Sequence, residues 1–218
     1  MARDIITIPP DLCRVTAFDW DIDWRTQPGG ETTAGNSQIY QQGFPRWFGN
    51  LPLVLTPSLI LRWRAVRAHA RGRLGLYKVT MPDWLIGVPG EGQPWYDGQP
   101  WGNDEFWESN PLWLFAANAP RGSSTIRVTV PEGMPAPQQG RIVSHNDWPT
   151  IITSVAEISA QWELTIARPL IEAAVSGDPL SLRPTGIFEA ISDGTGNPAY
   201  DLDRVARPVM EFREYLNR

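Results

Sequence analysis

Lysine and cysteine are nearly missing from this chain: Lys78 is the single lysine among 19 basic residues, and Cys13 is the single cysteine. One cysteine excludes an intrachain disulfide and a cluster of thiolates around zinc. It tells against a disulfide-stapled secreted domain, without excluding export as such. Histidine is scarce too. His69 and His145 stand in different segments, no H-E-x-x-H pair occurs, and a metal site would need carboxylates brought from elsewhere. Glycine loops of the phosphate-cradling kinds are absent. No apolar run approaches membrane-spanning length. The opening M-A-R-D-I-I-T-I-P-P-D lacks the apolar core of a signal peptide. The expectation is a soluble chain made in a cytoplasm, with no cofactor and no membrane insertion. Excess positive charge is also lacking. A net charge of −5 argues against nucleic acid as the principal partner.

What is present points to a turn-rich β protein. Proline (21) and glycine (19) are frequent, and only 20% of residues are charged, which fits strands and turns better than a helical bundle. Hydrophobic residues reach 42%, with 11 tryptophans, so the chain has the material for a packed core and is not disordered. At 218 residues it makes one domain, or a domain with an appended module. Nearly all the positive charge is arginine, whose planar fork holds carboxylates and stacks on aromatic rings, as at packed interfaces.

The plainest pattern lies between Ser123 and Pro184. Ile126, Val128 and Val130 alternate with Arg127 and Thr129; Trp162, Leu164 and Ile166 alternate again, as do Leu180 and Leu182. A period of two marks half-buried strands. Asn146-Asp147, Pro149, Gly177-Asp178 and Pro179 punctuate them as turn residues, giving a compact antiparallel module.

Upstream, D-I-I-T-I-P-P reads as a short strand stopped by Pro9-Pro10. In the next segment Phe18, Trp20, Ile22 and Trp24 take one side, and Asp19, Asp21 and Asp23 the other. D-x-D-x-D also opens an EF-hand loop, but that loop needs glycine sixth and glutamate twelfth, where this chain has Trp24 and Gly30. A strand with an acidic face is the better account. Q-P-G-G-E-T-T-A-G-N reads as a loop, and I-Y-Q-Q-G-F-P-R-W-F-G-N-L-P-L-V-L as a strand pair. A helix follows, with Thr56 as its cap, Pro57 at its first position and Gly72 at its C-terminal cap. Leu59, Ile60, Trp63, Val66 and Ala70 form its apolar stripe. Arg62, Arg64, Arg67 and Arg71, with Arg73 just beyond, fill much of the remainder; they read equally as a docking surface for an acidic partner or as a solvated face. L-G-L-Y-K-V-T-M-P-D-W is a following strand. The last segment, Y-D-L-D-R-V-A-R-P-V-M-E-F-R-E-Y-L, supplies a strand with Val209, Phe212 and Tyr215 available for burial.

Chemistry is hard to find. Ser144, His145 and Asp147 lie together, yet neighbours on a strand point to opposite faces, so Ser144 and His145 make a poor nucleophile–base pair. Residues 87–110 repeat Gln-Pro-Trp, with Trp95 and Trp101 placed to stack on sugar rings, on a neighbouring subunit or on their own core. Asp97, Asp104, Glu105 and Glu108 beside them permit a glycosidase without supporting one. The expectation is that the protein is not an enzyme.

The order G-N-S-Q-I-Y-Q-Q-G-F-P-R-W-F-G-N-L, then L-R-W-R-A-V-R-A-H-A-R-G-R, then L-G-L-Y-K-V resembles tail-tip proteins of long-tailed, siphovirus-like bacteriophages. The later A-P-R-G-S-S-T-I-R-V, G-R-I-V-S-H, W-E-L-T-I-A-R-P-L and R-V-A-R-P-V-M-E-F-R-E fit the same pattern, which covers most of the chain from about Asn36 onward. The resemblance implies a distal tail protein or close baseplate relative. Such a structural virion protein forms a ring, usually a homohexamer, that joins the tail tube protein to the hub and receptor-binding apparatus. The fold implied is mainly β (α+β): a β-sandwich ring domain with one flanking helix plus a small antiparallel β module. Residues 1–120 with 185–218 would form the ring domain and 121–184 the module. Arg62, Arg64, Arg67, Arg71, Trp95 and Trp101 become candidate subunit contacts. Asp19, Asp21 and Asp23 become candidates for an acidic lumen that DNA crosses without sticking. A carbohydrate-binding module or a cell-wall glycan hydrolase of the tail tip is the alternative.

Overall fold

The computed structural model describes residues 3–9, 12, 19–31, 33, 35–41, 43–81, 111–200 and 202–217. The chain divides into two compact units, residues 1–79 with 187–218 and residues 80–186. In chain order the first part contains β1 (Ile5–Thr7), β2 (Asp19–Asp23), β3 (Thr26–Glu31), β4 (Ser37–Gln41), β5 (Arg46–Pro52), helix α1 (Pro57–Ala70) and β6 (Leu76–Thr80). Next come β7 (Leu112–Phe115), β8 (Thr125–Thr129), β9 (Ile142–His145), β10 (Trp148–Ile158), β11 (Gln161–Ile166) and β12 (Pro179–Ser181). Finally β13 (Thr185–Ala190) and β14 (Val209–Glu214) return the chain to the first unit. The protein is mainly β, with one flanking helix and a small antiparallel module.

The first unit is built on a six-stranded sheet in the order β1-β6-β13-β14-β5-β2. β1 runs parallel to β6, while β13, β14, β5 and β2 pair antiparallel in turn. The two strands from the end of the chain therefore occupy the middle of the sheet. A sheet assembled this way cannot close its core until the second unit has been synthesised.

Aromatic side chains fill that core. Trp20 stacks on Phe212 with centroids 6.2 Å apart, and it also meets Phe188 at 4.8 Å. β5 lies between Trp20 and Phe212, and both residues register with Gly49. A Cβ at Gly49 would stand 2.6 Å from the Trp20 ring. The bare backbone at that point is what lets the indole cross β5.

Helix α1 keeps the predicted stripe: Ile60, Trp63 and Ala70 are buried, with Leu59 and Val66 half-buried beside them. Trp63 Nε1 donates to the Gly196 carbonyl at 2.7 Å. Thr56 occupies the cap position with extended backbone but makes no capping hydrogen bond through its side chain. The C-terminal cap is Arg71, not Gly72. Arg71 takes the left-handed conformation (φ 51°), and Gly72 follows at φ 65°. Two successive left-handed residues turn the chain sharply enough for the Gly75 N–H to bond the Ala70 carbonyl at 2.8 Å.

The second unit is a closed six-stranded barrel in the order β10-β11-β8-β7-β12-β9, antiparallel throughout. Trp113, Phe115, Ile126, Val128, Val143, Leu164 and Leu180 converge in its interior. Asn146 and Asp147 are both left-handed (φ 48° and 64°), as a two-residue hairpin turn requires. Ser159 and Ala160 make a second such turn (φ 50° and 63°).

Four expectations change. The module begins earlier than residue 121, because β7 pairs with β8 and β12 and is a barrel strand. The supposed loop from Gln27 to Asn36 contains β3, which pairs with β4 in a two-stranded ribbon. β4 and β5 are accordingly not partners of each other; β5 pairs with β2 and β14. In β14 the buried side chains are Met210, Phe212 and Glu214, whereas Val209 is exposed and Tyr215 half-buried. A spacing of three belongs to a helix, and strand parity overrides it.

Candidate interaction surfaces

β2 carries the acidic face. Trp20 and Ile22 point into the core, so Asp19, Asp21 and Asp23 alternate outward; the first two are exposed and the third half-buried. Asp19 accepts from Asn50 Nδ2 at 2.6 Å, and Asp21 accepts only the neighbouring Ile22 N–H among its described contacts, at 2.7 Å. Asp23 accepts the Arg25 N–H at 3.0 Å and pairs with Arg46 at 3.4 Å. Phe48 lies opposite Asp21 on β5 and is exposed. Trp24, expected on the buried side, is also exposed (45%). The chain leaves the strand at Arg25, whose backbone is left-handed (φ 54°). Phe18 lies outside the described residues.

The arginines of α1 divide into two groups. Arg67 is half-buried, and its Nη2 donates to the Asp193 carbonyl at 3.1 Å, so it serves the fold. Arg62, Arg64, Arg71 and Arg73 are exposed. The Arg64 guanidinium lies 5.5 Å from the centre of the Tyr200 ring, a cation–π distance. Helix α1 touches β1, and the Ile6 side chain reaches Gly75 just past the helix end. Arg71, Arg73 and the exposed Leu74 therefore stand beside β1, on which Ile5 is half-exposed.

That corner is fastened by an ionic clamp the sequence did not reveal. Arg3 donates to Glu189 at 2.8 Å, Arg213 donates to the other Glu189 oxygen at 2.6 Å, and Arg3 also reaches the carbonyls of Leu74, Arg73 and Gly75. The Arg3 guanidinium lies 4.9 Å from the centre of the Tyr215 ring. Burial alone pushes the Glu189 carboxyl up, but the two guanidiniums outweigh it and hold it below its ordinary value. Nearby, burial raises the Tyr77 phenol, partly countered by Arg67.

In the second unit Ser144, His145 and Asp147 are each engaged separately. Ser144 Oγ accepts the Thr185 N–H at 3.0 Å, and Asp147 accepts from Thr185 Oγ1 at 2.6 Å. The buried His145 ring contacts the Pro179 carbonyl through Nδ1 at 3.2 Å and packs edge-on to Phe115. A partly open recess beside it is lined by Trp148, Arg168 and Glu172 among others, and its enclosed part has room for about one water molecule. His69 is exposed on α1. Among the described residues no group of three or more His, Cys, Asp or Glu could hold a metal ion, and no helix is long and apolar enough to cross a membrane. Trp95, Trp101, Asp97, Asp104, Glu105, Glu108 and Cys13 lie outside the described residues.

The β3–β4 ribbon is the remaining surface. Every described residue of both strands is exposed, including Ile39 (69%) and Tyr40 (54%), which as strand neighbours face opposite sides. An isolated two-stranded hairpin is marginal in water.

A scan against protein-family models finds no match to this chain, and a search of curated proteins finds none either.

Proposed function

We propose that copies of this chain form a ring at the distal end of a phage tail. The ring joins the tail tube to the hub and receptor-binding apparatus, and DNA passes through it only in transit. The observation that carries this reading is the β3–β4 ribbon. It is extended and paired but buries neither face against the described residues of its own chain, and an arm of that kind gains its stability from a further surface. Strand topology supports the same reading. The barrel has no open edge with which to add strands, so association through a sheet falls to the first unit. The order of parts also accords with the tail-tip resemblance: a helix-flanked sheet, an antiparallel module, then strands returning to the first domain. Exposed arginines and aromatic side chains supply the contacts that subunit interfaces favour. The partners in this reading are the chain itself, a tail tube protein and a hub protein.

Electron microscopy of the purified full-length chain tests the proposal. Class averages of an annulus with cyclic symmetry are expected; a field of compact single molecules at micromolar concentration would overturn it.

A further inference from the structure

The sheet of the first unit ends at β2, and among the described residues no strand lies beyond it. Aspartate is poorly suited to strands, yet three of the five residues of β2 are aspartate. Backbone parity shows what one of them does. A strand residue sends its N–H and C=O to one side, and successive residues alternate. On β5 the Trp47 N–H bonds the Glu214 carboxylate at 2.9 Å, and the Leu53 N–H, just past the strand, bonds the Pro208 carbonyl at 2.9 Å. The odd-numbered residues of β5 therefore turn their backbone groups toward β14. Arg46, Phe48 and Asn50 turn theirs toward β2, where they register with Asp23, Asp21 and Asp19. Trp20 and Ile22 are left with backbone groups directed out of the sheet. The Ile22 N–H is already taken, because Asp21 Oδ1 accepts it at 2.7 Å. Asp23 Oδ1 likewise accepts the Arg25 N–H at 3.0 Å, where the chain turns away.

We infer that Asp21 closes the β2 edge to strand addition. Its side chain leaves from the face of the sheet, but its carboxylate reaches the edge and fills the place that the carbonyl oxygen of an incoming strand needs. Such a strand has to displace a charge-assisted hydrogen bond and bring its carbonyl dipole against a negative charge. β2 has only Trp20 and Ile22 to offer, so a strand paired along its length always meets Ile22. An open edge without such a guard is a template for pairing with other chains. The inference does not depend on the ring reading, since it concerns an association that the edge prevents.

Amide exchange in the full-length wild-type chain, read to single residues by fragmentation in the mass spectrometer, tests the cap. Trp20 and Ile22 face the same edge, and only Ile22 has a carboxylate on its N–H. After correction for intrinsic rates, Ile22 should exchange about tenfold more slowly than Trp20. Asp21→Ala removes the guard, whereas Asp19→Ala removes the same charge from the same face without touching an edge N–H. Asp21→Ala, folded by near-ultraviolet circular dichroism, should form sedimenting, thioflavin-positive assemblies at concentrations about tenfold below those that wild type or Asp19→Ala needs. Equal exchange at the two amides overturns the inference. So does a folded Asp21→Ala that stays as dispersed as wild type. Association of both alanine variants alike overturns it too, because lost charge and not the edge is then responsible. If Asp21→Ala does not fold, the wild-type exchange ratio decides alone.

Discussion

Replacing Glu189 by glutamine keeps the size of the side chain and removes its charge, and the consequence can be worked out from the clamp. The carboxylate receives Arg3 at 2.8 Å and Arg213 at 2.6 Å, with about one-fifth of its side chain exposed. A buried charge-assisted hydrogen bond contributes about 1.5–3 kcal/mol. Arg213 is 36% exposed and Arg3 24%, so solvent screening reduces each pair toward the surface value of roughly 1 kcal/mol or less. Together they come to about 1–2 kcal/mol. Glutamine also has to turn an NH2 group toward one of the arginines. Urea unfolding at neutral pH should therefore show a midpoint lower by about 0.5–1 M, for slopes of about 2 kcal/mol/M.

The pH dependence carries the sharper signal. The folded-state carboxyl lies below its ordinary 4.5, so its stabilisation is complete above that value and is lost as pH falls through the folded value. Wild type and Glu189→Gln should differ at pH 7 and converge on acidification below pH 4.5, while every other carboxylate titrates alike in both. A gap that stays constant from pH 7 to pH 3 would refute the clamp, as would no gap at pH 7.

Two glycines predict further losses. Gly49→Ala drives a methyl into Trp20 and should cost about 1–3 kcal/mol with a change in near-ultraviolet circular dichroism; an unchanged aromatic signal counts against the stacking across β5. Gly196→Ala meets both a left-handed backbone (φ 69°) and the Met210 sulfur 2.6 Å away, so about 2–4 kcal/mol is expected by calorimetry. Ending the chain after Gly186 removes most of β13 and all of β14, the centre of the first sheet. The truncated protein should lose protection from amide exchange across β1, β2, β5 and α1 while β7–β12 keep it. Retained protection in β5 would mean the sheet does not depend on its returning strands.

Sequence reading succeeded wherever burial was one-sided. Trp20 and Ile22 against three aspartates, Ile126 and Val128 against Arg127, and the α1 stripe all announced themselves, because one face of each element meets the core and the other meets water. It failed where that asymmetry vanishes. β3 and β4 bury nothing, so the ribbon has no alternation to read, and Pro28-Gly29-Gly30 makes it look like a loop. Val209, expected to be available for burial, is exposed, because β14 buries the alternate positions Met210, Phe212 and Glu214. β7, Leu112–Phe115, is four apolar residues alternately buried and half-buried, so its assignment to the barrel depends on pairing with β8 and β12 that no local pattern encodes. The clamp joins residues 186 positions apart, and nothing near Arg3 in sequence marks its partner. The acidic strand is visible; its place at one end of a six-stranded sheet is not, since sheet order is a property of the whole topology.

The most direct test is the mass of the particle that the full-length chain forms, measured by mass photometry across a dilution series from micromolar to nanomolar. A closed ring predicts one dominant multiple of the subunit mass that persists on dilution, with few species between it and the monomer. A particle of 24.4 kDa at every concentration would contradict it.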